Sequence, residues 1–274
     1  MILTGSLHNH STWCDGKNTP REMIEAAIAA GFTDFGISGH TYVTPDDFGV
    51  RDEEAYLKEL RALQEEYRDR IRFWVGLEHD YYFPVTDRAR LDYIVGSIHE
   101  LRDEATGRYY LVDGPKSDLA ACRDELFGGD GLAMAERFFE LTVENVRTYR
   151  PDIIGHFDLI VKNNAANDLF DETSSRYREA ALAALRRCAD TGCVFEINTG
   201  GMFRGYRDTP YPAAFLLEEL ARLGARVTVS ADAHETRALR FEFGPALELL
   251  KKAGFASVAV WENGRFVDKL LPKV

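Results

Sequence analysis

Residues 2–40 read ILTGSLHNHSTWCDGKNTPREMIEAAIAAGFTDFGISGH and hold one complete strand–helix–strand unit. Ile2 to Leu7 is an apolar strand. Pro20 to Ala30 is a helix, with Thr19 as cap, Pro20 at the first helical position and Gly31 as stop. Asp34 to Ser38 is the next strand. Two strands joined through a helix argue for parallel pairing. Both strands run straight into histidine, at Leu7-His8-Asn9-His10 and at Gly36-Ile37-Ser38-Gly39-His40.

The same rhythm continues down the chain. A charged helix is expected over Asp52–Arg70, and further helices near Gly131–Thr148, Thr173–Thr191, Ala213–Leu223 and Phe243–Ala253. Strands are expected at Ile71–Leu77, Tyr93–Ser97, Ile153–Gly155, Val194–Asn198 and Arg226–Ser230. A last strand, Ser257–Trp261, leads into the turn signal Glu262-Asn263-Gly264. Roughly seven or eight such units in about 250 residues match one closed α/β barrel. A doubly wound open sheet is the second choice, since no GxGxxG or P-loop pattern follows the first strand. The chain is therefore read as a single barrel domain over residues 1–274, with Leu101–Gly129 an excursion over the barrel mouth.

The 274 residues carry 33 Lys+Arg against 45 Asp+Glu, a formal net charge of -12. An acidic surface repels phosphate backbones, which argues against nucleic-acid partners. No apolar run is long enough to span a bilayer, and Met1–His8 lacks the pattern of a signal peptide. Cys14, Cys122, Cys188 and Cys193 form no CxxC pair and are too few for a disulfide framework. A cytoplasmic protein is the expectation; the oligomeric state is left open.

Six of the seven histidines end a strand: His8, His10, His40, His99, His156 and His234. In a parallel barrel those ends share one face, where such folds place their chemistry. Side chains alternate along a strand, so His8 and His10 point one way, as do Asp232 and His234. With Asp15, Glu78 and Asp232 the set reaches nine ligands of the kind that hold zinc, manganese or iron. One ordinary site takes about four protein ligands, so nine imply two or three divalent ions with bridging carboxylates. His79 follows Glu78 directly, is turned to the opposite face, and is read as structural. Asp158 is either a support for the site or a helix cap, and Cys14 a free thiol near the site.

These residues resemble the polymerase and histidinol phosphatase (PHP) superfamily. The matching segments are His8-x-His10, the glycine-flanked His40, Gly76-Leu77-Glu78, Gly96-Ser97-Ile98-His99, Gly155-His156-x-Asp158 and Ser230-Ala231-Asp232-Ala233-His234, in the family's order. The resemblance implies a distorted TIM-like (β/α)7 barrel around a trinuclear metal centre. Carried over, His8, His10, Glu78 and Asp232 would hold one ion. Glu78, His99 and His156 would hold the second, and Asp15, His40 and His234 the third.

Within the superfamily the chain is most similar to the histidinol-phosphate phosphatase branch, through Ile37-Ser38-Gly39-His40, Gly76–Asp80, His156–Lys162 and Glu196-Ile197-Asn198-Thr199 with Arg204 and Tyr211-Pro212. It departs at Gly39, where an acidic residue is common, at His79, and across 101–129. The resemblance implies hydrolysis of a phosphate monoester, histidinol phosphate, in histidine biosynthesis. Arg204 is the expected phosphate clamp, Lys162 a weaker one and Arg207 weaker still. Glu196 and Asn198 share a strand face and are expected on the pocket floor. Asp232 or His234 would protonate the leaving alcohol. The competing expectations are a phosphodiesterase acting on a small nucleotide and a structural metal-binding module.

Overall fold

The computed structural model describes residues 3–44 and 47–272. Seven parallel strands form one sheet: β1 (Gly5–Ser6), β2 (Asp34–His40), β3 (Arg72–Asp80), β4 (Tyr93–Ser97), β7 (Ile153–Ile154), β8 (Val194–Asn198) and β9 (Val227–Ser230), neighbours in that order. Beyond the strand ends Asn9 bridges Ala233 in parallel, and the His10 N–H donates to the Ala233 carbonyl at 2.9 Å. The first and last strands thus meet, and the sheet is a near-closed barrel. A C-terminal hairpin, β10 (Ser257–Glu262) with β11 (Arg265–Leu270), lies beside β1 and β9.

The helices begin and end where local chemistry dictates. In α1 (Pro20–Ala29) the Thr19 side chain accepts from the Glu22 N–H while Glu22 accepts from the Thr19 N–H, a reciprocal capping box. Gly31 follows at φ 79°, where a residue with a side chain would be strained. Asp52 caps α2 (Glu53–Tyr67), Asp130 caps α4 (Gly131–Tyr149) and Ser174 caps α5 (Ser175–Ala189). The outward strand residues Phe35, Ile37, Phe73, Val75 and Leu77 join helix residues such as Met23, Ile24, Leu60 and Leu63 in the main core. Among the described residues no helix is long and apolar enough to cross a membrane.

Some expected boundaries move. Ile2 lies outside the described residues, and the first strand contracts to Gly5–Ser6. The third lengthens to Asp80 because β2 pairs with it as far as His40–Glu78 and β4 as far as Ser97–Asp80. The 101–129 excursion is ordered: a hairpin of β5 (Glu100–Arg102) and β6 (Tyr109–Leu111), then α3 (Lys116–Phe127). It breaks the rhythm because it is an antiparallel insertion, anchored by buried Leu101, Tyr110, Val112, Leu119 and Cys122.

The barrel interior is layered. Leu7, Tyr93, Val95, Ile153 and Trp261 fill its lower part. The Tyr93 hydroxyl donates to the Leu7 carbonyl at 2.5 Å, which fixes the ring. Gly36 and Gly76 make the room: a Cβ there would stand 2.3 Å and 2.4 Å from Tyr93 atoms. Gly76→Ala should therefore lower stability by about 1–3 kcal/mol through overpacking. Chemical denaturation checks this, and an unchanged midpoint would contradict the packing. Above Tyr93 the inward positions become polar.

Candidate metal centre

Period-2 alternation carries one side chain in two from β2, β3, β4 and β8 into the upper barrel. Glu78 points inward and is buried between two groups of histidines. Its Oε2 lies 3.0 Å from His8 Nε2, 3.4 Å from His10 Nε2 and 3.2 Å from His40 Nδ1. Its Oε1 lies 3.0 Å from His156 Nε2 and 3.3 Å from His99 Nε2, and accepts from Ser97 Oγ at 2.6 Å. Asp232 Oδ1 closes the first group, 3.2 Å from His10 Nε2 and 3.6 Å from His8 Nε2. Asp15 gathers the third: Oδ2 is 2.9 Å from His234 Nε2, and Oδ1 is 3.7 Å from His40 Nε2. His10 stacks between His40 and His234, with ring centroids 4.4 Å and 4.0 Å away.

All nine expected ligands thus converge, in four overlapping donor groups: His8–His10–Asp232, His8–Glu78–His156, His40–Glu78–His99 and His10–Asp15–His40–His234. The grouping differs in part from the expected one: His156 falls with His8 and Glu78, His99 with His40 and Glu78, and His10 joins Asp15, His40 and His234.

The donor set fits transition-metal ions. An ion 2.0–2.2 Å from four tetrahedral ligands sets those ligands about 3.3–3.6 Å apart. The four pairs that His8 and His10 make with Glu78 and Asp232 run from 3.0 to 3.6 Å. Buried polar atoms are normally hydrogen-bonded, yet among the described residues His8 Nε2, His10 Nε2 and Glu78 Oε2 have no hydrogen-bond partner. Those orphaned atoms face one another.

Electrostatics agree. Burial opposes ionisation of Glu78, but His8, His40 and His99 outweigh it and hold the carboxyl well below its ordinary range. Burial likewise opposes ionisation of Asp232, outweighed by Arg204 and His8. Burial, with His234 and His40 beside it, drives His10 down to about 3, so its imidazole is neutral and can ligate. Burial also opposes protonation of His8, but Glu196, Glu78 and Asp232 raise its pKa well above normal, the mark of a pocket short of positive charge. Asp232 adopts φ 47°, a left-handed conformation that aspartate tolerates better than most residues.

A second layer orients these side chains. Glu196 Oε1 lies 2.7 Å from His8 Nδ1, and Oε2 accepts from the His156 N–H and Asn198 Nδ2, each at 2.9 Å. Ser230 Oγ also donates to Glu196. Asp80 Oδ2 accepts the His99 N–H at 2.7 Å and lies 3.7 Å from His99 Nδ1. Carboxylates behind ligating imidazoles fix the ring and its tautomer.

The geometry corrects the expectation for Glu196 and Asn198. Both are fully buried and off the cavity wall: Glu196 is taken up by His8 and the His156 N–H, and Asn198 by Glu196 and the Gly200 N–H. Asp80, Ser97 and Ser230 received no role in the sequence reading. Each stands two residues from Glu78, His99 or Asp232, so strand alternation would have found them.

The centre opens into a cavity of about 650 Å³. Arg204, just beyond the short helix α6 (Gly200–Phe203), lines it. It donates from Nη2 to Asp232 Oδ2 at 2.9 Å and from Nη1 to the Asp232 carbonyl at 3.1 Å; Nη1 is also 2.8 Å from His234 Nδ1. Lys162 lines the cavity too, but its Nζ donates to the Asp113 carbonyl at 2.7 Å and sits over the Tyr206 ring. Arg207 does not reach it: its guanidinium pairs with both oxygens of Glu172 and with the Val161 carbonyl.

The remaining expectations resolve simply. His79 faces away, Nε2 2.6 Å from Asn145 Oδ1. The Cys14 thiol lies 3.5 Å from His10 Nδ1, and desolvation pushes its pKa up to about 12. Asp158 does not cap the 3-10 turn that follows it; its Oδ2 accepts from the Ala213 N–H, at the start of α7 (Ala214–Leu223). Gly39 has a steric reason, since a Cβ would meet Val50 Cγ2 at 2.9 Å.

Comparison with known proteins follows the same line. A family model described as PHP domain matches residues 6–200. The probable histidinol-phosphatase of Schizosaccharomyces pombe is 27% identical over 285 residues, 94% of this chain and 90% of that protein. The histidinol-phosphatase of Lactococcus lactis is 28% identical, over 96% of this chain and 94% of that protein. The crystal structure of the Lactococcus lactis histidinol phosphate phosphatase, complexed with zinc, L-histidinol and phosphate, superposes with a TM-score of 0.71 at 22% identity. It covers 97% of this chain and all (100%) of that one.

Proposed function

This chain belongs to the PHP domain family, and on that premise we propose that it is a metal-dependent phosphate-monoester hydrolase converting L-histidinol phosphate to L-histidinol and phosphate in histidine biosynthesis. The observation that carries the reading is Glu78 bridging two donor groups, with a third alongside and Arg204 on the wall above them. His8, His10, Glu78 and Asp232 would hold one ion, Glu78, His99 and His156 a second, and Asp15, His40 and His234 a third. Divalent ions bound there supply Lewis-acid neutralisation of phosphoryl charge and a nucleophile at neutral pH.

The chain's own groups do the rest. Arg204 lines the cavity and orients Asp232 through both terminal nitrogens, and its remaining Nη2 N–H would pair with a phosphoryl oxygen. Asp232, ionised at rest, would take up on Oδ2 the proton released by the attacking water and pass it to the leaving alcohol oxygen. His234 is less free to do so, engaged through Nε2 with Asp15 and through Nδ1 with the Arg204 side. Lys162, on the cavity wall and tied to the Asp113 carbonyl, would be a weaker second clamp. The reading treats residues 1–274 as one barrel domain, supported by β10 seated beside both β1 and β9. It places the enzyme in the cytoplasm, consistent with four free thiols.

Glu196→Gln should weaken metal affinity by about 10–100-fold while the fold persists, since it supports His8 and His156 without ligating. Metal titration with a competing chelator checks this, and an affinity equal to wild type would remove Glu196 from that role. The function itself is tested by comparing L-histidinol phosphate with bis(p-nitrophenyl) phosphate in zinc or manganese. Faster turnover of the monoester is expected. Preference for the diester would move the protein to the phosphodiesterase class, and a metal-free protein inert to both would make it a structural module.

A further inference from the structure

The cavity is lined by the donor cluster and Arg204, by Glu100, Leu111, Asp113 and Gly114 of the insertion between β4 and α4, and by Leu159, Phe203 and Tyr206. The acidic groups along its wall outside the donor cluster are not equivalent. Asp80 accepts the His99 and Tyr82 N–H groups. Glu235 pairs with Lys17 and Arg237, and Glu100 is enclosed at 2% exposure. Asp113 differs: its side chain is 33% exposed to the cavity and, among the described residues, its carboxylate accepts no hydrogen bond. Lys162 stands 3.5 Å from Asp113 Oδ2, but its own hydrogen bond goes to the Asp113 main-chain carbonyl. That bond ties Lys162 to the loop between β6 and α3 and leaves the Asp113 carboxylate without a hydrogen-bond donor among the described residues.

A carboxylate with open acceptor positions on the cavity wall favours a cation beside it over an anion. An aliphatic ammonium stays protonated at neutral pH and donates up to three hydrogen bonds to such an acceptor. Resting on the phosphatase reading, we propose that Asp113 recognises the protonated amine carried by the leaving alcohol, so that the enzyme selects amino-alcohol phosphates over monoesters that lack a cation. The aromatic and aliphatic wall of Phe203, Tyr206 and Leu159 then receives the rest of the alcohol, a ring included. The 101–129 insertion is the specificity element of the barrel, and Asp113 is the residue through which it acts.

The test is a cycle on metal-replete protein. Wild type and Asp113→Asn are assayed with L-histidinol phosphate and with its des-amino analogue, 3-(imidazol-4-yl)propyl phosphate; p-nitrophenyl phosphate serves as a control. Removing the carboxylate charge or the amine alone should each lower kcat/KM by about 10–100-fold, chiefly through KM. Removing both should cost no more than removing one. Turnover of p-nitrophenyl phosphate should be the same in both proteins. Losses that multiply, a variant with unchanged kcat/KM on L-histidinol phosphate, or an equal loss on p-nitrophenyl phosphate would each overturn the Asp113 assignment while the phosphatase reading stands. Wild-type protein inert to all three esters would overturn the phosphatase reading and the assignment together.

Discussion

Glu78→Ala protein should come through purification with its metal lost and its turnover of phosphate esters at background. The two oxygens of this one side chain face different donor groups, Oε2 towards His8 and His10 and Oε1 towards His99 and His156. Removing it opens two coordination spheres at once and leaves a cluster of buried imidazoles with one carboxylate fewer to balance a cation. Loss of a supporting residue typically costs 10–100-fold in metal affinity, so losing a ligand shared by two sites should cost more than about 100-fold. Elemental analysis after dialysis, paired with circular dichroism to confirm folding, reads the effect. Glu78→Gln separates charge from packing: it keeps the volume and the contact with Ser97 Oγ, and should still lose most of the metal. Folded, metal-replete and active Glu78→Ala would remove the cluster from the chemistry.

Arg204→Ala should lower kcat/KM for a phosphate monoester by about 10²–10³-fold, the usual cost of deleting a charged group that stabilises developing negative charge. Both steady-state constants should change. The guanidinium reaches the cavity where phosphate binds, so KM rises. It also bonds Asp232 at two atoms and lies beside His234, so the group that carries the proton is left less well aimed and kcat falls. Metal content should stay near wild type, because arginine offers no ligand. Arg204→Lys should recover only part of the loss, since an ammonium supplies the charge without the two-pronged geometry. An alanine variant with unchanged kcat/KM would remove Arg204 from both roles.

Much of this was legible in the chain, for identifiable physical reasons. Thr19-Pro20 with Glu22, and Asp130 before Gly131, mark helix starts because they satisfy free N–H groups locally. Strand alternation placed His8 with His10, set Glu78 against His79, and a parallel barrel brought the strand ends together. Depth within the barrel was not legible. Glu196 and Asn198 lie on the inward face as read but off the cavity wall, because His8 and His156, distant along the chain, take up Glu196, and Asn198 bonds to it. Nor were the partners of long cationic side chains. Arg207 turns to Glu172 and Lys162 to the Asp113 carbonyl, contacts 35 and 49 residues away that no local pattern encodes. Asp113 was hidden for the same reason, since it sits in an insertion whose antiparallel hairpin breaks the rhythm by which the other residues were found.

The central claim is that phosphate-monoester hydrolysis occurs at this cluster and depends on its ions. It is tested most directly by stripping the wild-type protein with a chelator, adding back manganese or zinc in measured equivalents, and following phosphate release from L-histidinol phosphate. The account predicts no release from stripped protein and activity that climbs to a plateau at two to three equivalents. Release that survives stripping, or none at any metal loading, would contradict it.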